Sequence, residues 1–82
     1  MIGPWPTVEG LNLPDYLKGR CQVLLESIQR ADTVTNALMA GQRATGFTEA
    51  LELLLVMPVA RIERLYKLYE CALTGRLAEL GR

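Results

Sequence analysis

The sequence predicts an all-α fold, either a small helical hairpin or a three-to-four-helix bundle with a proline-bent C-terminal helix. Apolar residues recur every three or four positions along two long segments, and no segment shows the period-2 alternation of a half-buried strand. Half of the 82 residues are hydrophobic, which argues against disorder, and this length allows one domain at most. We therefore expect an extended N-terminal arm over residues 1–12 and a single helical domain over residues 13–82.

The predicted arm leads into the first helix. Residues 1–12 contain two prolines and two glycines, which favour an extended path, and Trp5 is expected to dock the arm on the helices. The helix is expected to begin between Asn12 and Asp15, because Asn12 can cap it, Pro14 suits its first turn and Asp15 is favourable at the positive end of the helix dipole. Its apolar stripe consists of Leu13, Leu17, Cys21, Leu24, Ile28 and Ala31.

The middle of the chain leaves one question open and contains the predicted linker. Near Asp32 two paths remain: Asp32 caps a second, short helix, or the first helix runs straight through to Ala40. Residues 41–48 form the predicted linker, in which Gly41 stops the preceding helix and Thr48 caps the next one.

The final helix is expected to run from that cap through an apolar segment that contains a proline. An interior proline removes one hydrogen bond and clashes with the preceding turn, at a cost of about 3 kcal/mol. Pro58 is therefore expected either to bend this helix or to separate it into two segments, and Gly75 is expected to end its main part.

The composition argues against several classes of function. Nine basic and nine acidic side chains cancel, so no net field attracts nucleic acid or an anionic membrane. The chain has no histidine and no CxxC spacing, so we expect no metal, no cofactor and no enzymatic activity. Cys21 and Cys71 are interpreted as reduced core thiols, although a disulfide between them is possible in principle.

The termini and the apolar runs indicate the compartment. The first ten residues lack the basic start and apolar core of a signal peptide, and the longest apolar run is far below the roughly 20 residues that span a bilayer. We therefore expect a soluble, cytoplasmic protein that does not enter the membrane.

The most distinctive pattern is a leucine-rich run followed by Pro-Val-Ala-Arg-Ile at residues 58–62. Over residues 51–73 the chain resembles the last conserved segment of Dbl-homology domains, the exchange modules for Rho-family GTPases. That segment has a leucine-rich run, then Pro-Val-Gln-Arg-Ile, then a basic residue three places on. Arg64 falls on this basic position, which in the family approaches the switch region of the GTPase. The resemblance implies an exposed contact surface that includes Arg61, Arg64 and Lys67.

The sequence also departs from the family. Ala60 replaces the glutamine that faces the GTPase, Met57 replaces the usual lysine, and Leu65 replaces the usual tyrosine. The acidic residue that the family carries on its first conserved helix has no counterpart in the Pro- and Gly-rich residues 1–12. The resemblance therefore implies a fragment or degenerate relative, and a non-catalytic helical protein-interaction module.

The apolar surface of the final helix suggests an alternative function. Leu55, Ile62 and Tyr69 lie seven residues apart on one line of the predicted helix. A second line is turned well away from the first and contains Leu51, Leu54, Leu65 and Leu68. One hairpin partner covers both lines poorly, so we expect the first line to be buried against another chain as well as against its own. The alternative is therefore a self-associating helical subunit, a homodimer or part of a larger assembly, unrelated to GTPases.

Overall fold

The computed structural model describes residues 8–81, without the side chain of Glu9, and they form a three-helix bundle. A short 3₁₀ turn, Glu9–Leu11, precedes α1 (Asp15–Gln29), α2 (Val34–Leu53) and α3 (Val59–Leu80). Each helix packs against the other two, and the described residues contain no strand. The predicted all-α class is confirmed, and the bundle has three main helices.

The segment before α1 differs from the predicted extended arm. Residues 1–7, which include Trp5, lie outside the described residues. From residue 8 onward the chain belongs to the core, because the 3₁₀ turn buries Val8 and Leu11. Asn12 does not cap α1; it has a φ of 56°, in a left-handed region that asparagine tolerates better than most residues. The backbone therefore turns sharply before α1 begins.

The break between α1 and α2 settles the question left open near Asp32. Helix α1 ends at Gln29, and the Thr33 side chain caps α2 by accepting a 3.0 Å hydrogen bond from the Asn36 backbone N–H. Asp32 contributes indirectly, since its carboxylate accepts a 3.1 Å hydrogen bond from the Asn36 side-chain amide. Two helices form here, and the second has 20 residues, so it is not short.

The predicted linker at residues 41–48 is wrong, because these residues lie inside α2. Gly41 is buried where α2 meets α3, and a Cβ built on it would lie 2.8 Å from a methyl group of Leu73. Thr48 is also buried and donates a 2.8 Å hydrogen bond to the carbonyl oxygen of Ala44, one turn back in the helix. Gly41 therefore allows α3 to approach closely, and this packing outweighs the low helix propensity of glycine.

The predicted proline bend is absent, and Pro58 separates two helices. Helix α2 ends at Leu53, and Pro58 is the N-terminal flanking residue of α3, where its missing N–H costs nothing. Gly75 does not end the last helix, which continues to Leu80. The structure thus takes the second of the two alternatives that the sequence allowed for Pro58.

The core is built mainly from leucine, isoleucine and alanine, with one buried thiol. Cys21 is fully buried, and burial raises the pKa of its thiol, although the nearby Tyr69 hydroxyl opposes this shift. Cys71 is exposed on α3, so its predicted place in the core is wrong. Both thiols are free, which means that the two cysteines are not paired. None of the described helices is both long and apolar enough to cross a bilayer.

Candidate protein-interaction surface

The corner between α2 and α3 exposes consecutive large apolar side chains. Leu53, Leu54 and Leu55 are 82%, 72% and 87% exposed, and Val59 at the start of α3 is 66% exposed. We call these four residues the leucine corner. Single exposed leucines are common on soluble proteins, but a contiguous apolar cluster marks an interaction site or an aggregation hazard.

The backbone of the leucine corner forms a Schellman motif, the usual end of a helix. The Val56 N–H donates to the Leu51 carbonyl oxygen at 3.2 Å, and the Leu55 N–H donates to that of Glu52 at 3.1 Å. Leu55 occupies the position that normally carries glycine, and its φ is 55°. An L-residue in this left-handed region costs roughly 1–2 kcal/mol. A strained, exposed leucine at a glycine position is an outlier that points to a functional role.

The leucine corner is held in place from both sides. Leu51, which precedes it, and Met57, which lies between Leu55 and Val59, are buried in the core. The Tyr66 hydroxyl on α3 donates a 3.1 Å hydrogen bond to the carboxylate of Glu52 near the end of α2. The pKa of Tyr66 is raised, first by partial desolvation and then by the neighbouring Glu52 and Glu49 carboxylates. These contacts link the two helices directly beside the exposed leucines.

The basic residues predicted to contact a partner lie on the surface of α3 but do not share one narrow face. Arg64 and Lys67 are exposed and Arg61 is half-buried. At about 100° per residue, Arg61 and Arg64 lie about 60° apart around the helix, whereas Lys67 lies about 120° from Arg61. No side chain in residues 8–81 forms an ion pair with any of the three. Arg64 lies between the other two, about 60° from each, and Arg61 and Arg64 are the two that lie nearest along the chain to the leucine corner.

The predicted apolar contact line, by contrast, is not a surface. Leu55 lies outside α3, so it does not share a helical line with Ile62 and Tyr69. Both Ile62 and Tyr69 are buried in the chain's own core, and so is Leu65 on the second line. Helix α3 packs on both α1 and α2, so these two helices cover a wider part of its circumference than a single hairpin partner would cover. Of the three predicted apolar contacts, only Leu55 is available to a partner.

The described residues offer little for other kinds of site. Within residues 8–81 no cluster of three or more histidine, cysteine or acidic side chains is arranged to hold a metal ion. Comparison with protein-family models, with curated proteins and with solved structures finds no match.

Sequence reasoning found Leu55 but missed the leucine corner as a unit. The predicted helix continues through residues 53–57, which places Leu54 and Leu55 on separate apolar lines of one helix. A usable signal was the spacing of Leu53, Leu54 and Leu55 before Pro58, since the residue before a proline disfavours helix. A helix that ends before the proline leaves a run of leucines in a turn, where they are exposed.

Proposed function

We propose that this chain is a non-catalytic helical protein-interaction module whose contact surface is the leucine corner together with Arg61 and Arg64. The observation that carries this proposal is the exposure of three consecutive leucines, one of them strained, in a turn held by the core on both sides. Complete burial of one leucine side chain is worth roughly 1.5–3 kcal/mol. Several such side chains therefore supply enough free energy for association once a partner covers them.

The partner that we propose is a Rho-family GTPase. Within the segment that resembles Dbl-homology domains (residues 51–73), the motif stretch 54–64 forms most of the leucine corner and the first turns of α3, so this stretch lies largely on the surface. Arg64, at the family's basic position, is exposed. The proposed interaction is binding without nucleotide exchange, because Ala60 stands where the family that this segment resembles has a glutamine that faces the GTPase.

Anisotropy titration of the labelled chain with a nucleotide-free Rho-family GTPase tests this proposal. Binding is expected to weaken at least about tenfold in Leu54→Asp and in Arg64→Glu, because each removes a contact at the centre of the surface. Val23→Asp is the matched control, since Val23 is also a largely exposed apolar residue but lies on α1. Release of a fluorescent nucleotide from the GTPase is expected to stay at its spontaneous rate.

The second candidate is self-association through the leucine corner. It is favoured by the apolar character of the corner, which pairs readily with a copy of itself about a two-fold axis. Sedimentation equilibrium is then expected to give a mass above 9.1 kDa that Leu54→Asp lowers and Arg64→Glu leaves unchanged. If the chain stays monomeric and also fails to bind the GTPase, the leucine corner is not the contact surface and the proposal is wrong.

A further inference from the structure

A second surface, distinct from the leucine corner, runs between α2 and α3. Two adjoining depressions of about 470 and 440 Å³ share Gly41, Thr45 and Leu73. The first also includes Leu38 and Glu49 from α2, and the second also includes Tyr66, Tyr69 and Glu70 from α3. None of the lining residues comes from α1. We call this surface the α2–α3 groove.

The groove exists because α2 carries small residues on the side that faces α3. Gly41 allows Leu73 to pack against the helix backbone, and Gly46 leaves open space where a side chain would stand. The groove extends along α2 from Leu38 to Glu49, which is roughly 16 Å at 1.5 Å per residue. This length accommodates about three turns of a partner helix.

The walls of the groove are largely apolar. Leu38 remains exposed there although it is a large apolar residue. Leu73 and Tyr66 are half-buried, so each presents part of its side chain to the groove and part to the core. An apolar groove between two helices is the usual receptor for the apolar face of an amphipathic helix.

The rim of the groove is acidic. Glu49 and Glu70 line the two depressions, and Glu63 lines a further depression beside them together with Tyr66 and Lys67. Within residues 8–81, neither Glu49, Glu63 nor Glu70 forms an ion pair, so these carboxylates are available to external cations. The raised pKa of Tyr66 has the Glu52 and Glu49 carboxylates among its causes, which places negative charge at this end of the groove.

The charges of α3 are separated around the helix. At about 100° per residue, Arg61 lies about 180° from Glu70, and Arg64 lies about 120° from it. On the groove side, three glutamates, Glu49, Glu63 and Glu70, stand against one lysine, Lys67, which lies about 60° from Glu70, so this side is net acidic although the net charge of the chain is zero. An acidic rim repels phosphates and so disfavours a nucleic acid in this groove.

We propose that the α2–α3 groove binds a basic amphipathic helix of another protein. The apolar face of that helix packs on Leu38, Leu73 and Tyr66, and its lysine or arginine side chains pair with Glu49 and Glu70. This inference rests on the proposed role as an interaction module but uses a different surface, so the chain has two contact faces with opposite charge preference.

The probe is a labelled peptide of about 14 residues in which leucines recur every three or four positions and lysines occupy the other positions. Its controls are a leucine–glutamate peptide of the same pattern and a leucine–lysine peptide of the same composition whose order is not amphipathic. We expect the first peptide to bind the wild-type chain and the two controls to bind at least about tenfold more weakly, because each lacks one half of the complementarity.

Two kinds of variant locate the binding site. Thr45→Trp fills the groove and is expected to abolish binding, whereas Ala50→Trp, at an exposed position about 140° around the same helix and outside the groove lining, leaves it unchanged. The double variant Glu49→Gln/Glu70→Gln removes two rim charges and is expected to weaken binding about three- to tenfold, with a reduced salt dependence. Asp15→Asn/Glu26→Gln removes two charges from α1 and is the matched control. Circular dichroism checks that each variant keeps its helical content.

Each outcome decides the inference. It is overturned if the basic peptide does not bind, if the acidic or non-amphipathic peptide binds as well, or if Thr45→Trp or the double rim variant keeps wild-type affinity. Leu54→Asp is expected to bind the basic peptide normally, because the leucine corner lies outside the groove. A negative result in the groove experiment therefore does not affect the proposed function of the leucine corner. That function is tested separately, by the GTPase binding and sedimentation measurements.

Discussion

The hydroxyl of Tyr69 donates a 3.0 Å hydrogen bond to the backbone carbonyl oxygen of Cys21, and this bond joins α3 to α1 inside the core. Both residues are buried, and burial raises the pKa of both side chains. A second long-range bond lies at the other end of the interface, where the Arg76 Nε donates to the Ala31 carbonyl oxygen at 2.7 Å. The position of α3 on α1 is thus determined by polar contacts as well as by apolar packing.

Tyr69→Phe tests the contribution of the first bond. The variant keeps the aromatic ring but removes the hydroxyl, so we expect the free energy of unfolding to fall by about 0.5–1.5 kcal/mol. The measurement is urea denaturation followed by circular dichroism. Tyr16→Phe is the control, because Tyr16 is exposed and the loss of its hydroxyl is expected to change little. Equal effects of the two substitutions would contradict this prediction.

Alkaline pH is expected to destabilise the wild-type chain through the same pair. The pKa of Tyr69 and that of Cys21 are raised in the folded state, mainly because burial disfavours their charged forms. The stability that the neutral groups contribute is therefore fully present below their unfolded pKa values, roughly 8.5 for cysteine and 10 for tyrosine, and is lost as the pH rises above them.

Urea denaturation between about pH 8 and about pH 11 checks the sign of this effect. The free energy of unfolding of the wild-type chain is expected to decrease with rising pH, and that of Tyr69→Phe is expected to decrease less steeply. If the free energy of unfolding of Tyr69→Phe decreases with pH as steeply as that of the wild-type chain, Tyr69 does not contribute to the pH dependence and the prediction is wrong.

Leu55→Gly is expected to stabilise the chain. Glycine adopts a φ of 55° without the steric penalty that leucine has there, and the exposed leucine side chain contributes little to the core. We expect the free energy of unfolding to rise by about 0.5–1 kcal/mol. In the control, Leu54→Gly, glycine replaces a residue with a φ of −85° and is expected to be neutral or destabilising. The prediction is wrong if a thermal melt shows no higher Tm for Leu55→Gly than for Leu54→Gly.

Gly19 and Gly41 form a pair of positions with opposite surroundings. A Cβ at Gly19 meets nothing within 4 Å, whereas one at Gly41 comes within 2.8 Å of the Leu73 side chain. Gly19→Ala is therefore expected to raise the free energy of unfolding by about 0.5–1 kcal/mol through helix propensity alone. Gly41→Ala is expected to raise the free energy of unfolding by a smaller amount or to lower it, since the Leu73 side chain has to move. Denaturation curves of the two variants in the same buffer compare them directly, and a larger rise in the free energy of unfolding for Gly41→Ala would contradict the close packing of Leu73 on Gly41.

The predictions from sequence were most accurate where side-chain periodicity is strong. The apolar stripe of α1 appears as the buried side of that helix, with Leu17, Cys21 and Ile28 in the core. Such a stripe determines a helix locally, because the 3.6-residue repeat and burial of the apolar side reinforce each other. The three predicted basic contacts also lie on α3, two of them exposed, although their role with a partner stays a proposal.

The elements that the sequence predicted incorrectly depend on contacts between distant segments. Gly41 and Thr48 have the local properties of a linker, yet α2 passes through both: Leu73 of α3 packs against Gly41, and Thr48 is buried. The burial of Ile62 and Tyr69 likewise depends on α3 packing against two helices at once.

By itself, the sequence determined the helical class and the absence of a net charge to attract nucleic acid. Only the tertiary structure decided which apolar residues are covered, and therefore which remain for a partner. The physical reason is that helix periodicity is a property of neighbouring residues, whereas the exposure of Leu54 and Leu55 depends on where one helix ends and the next one packs.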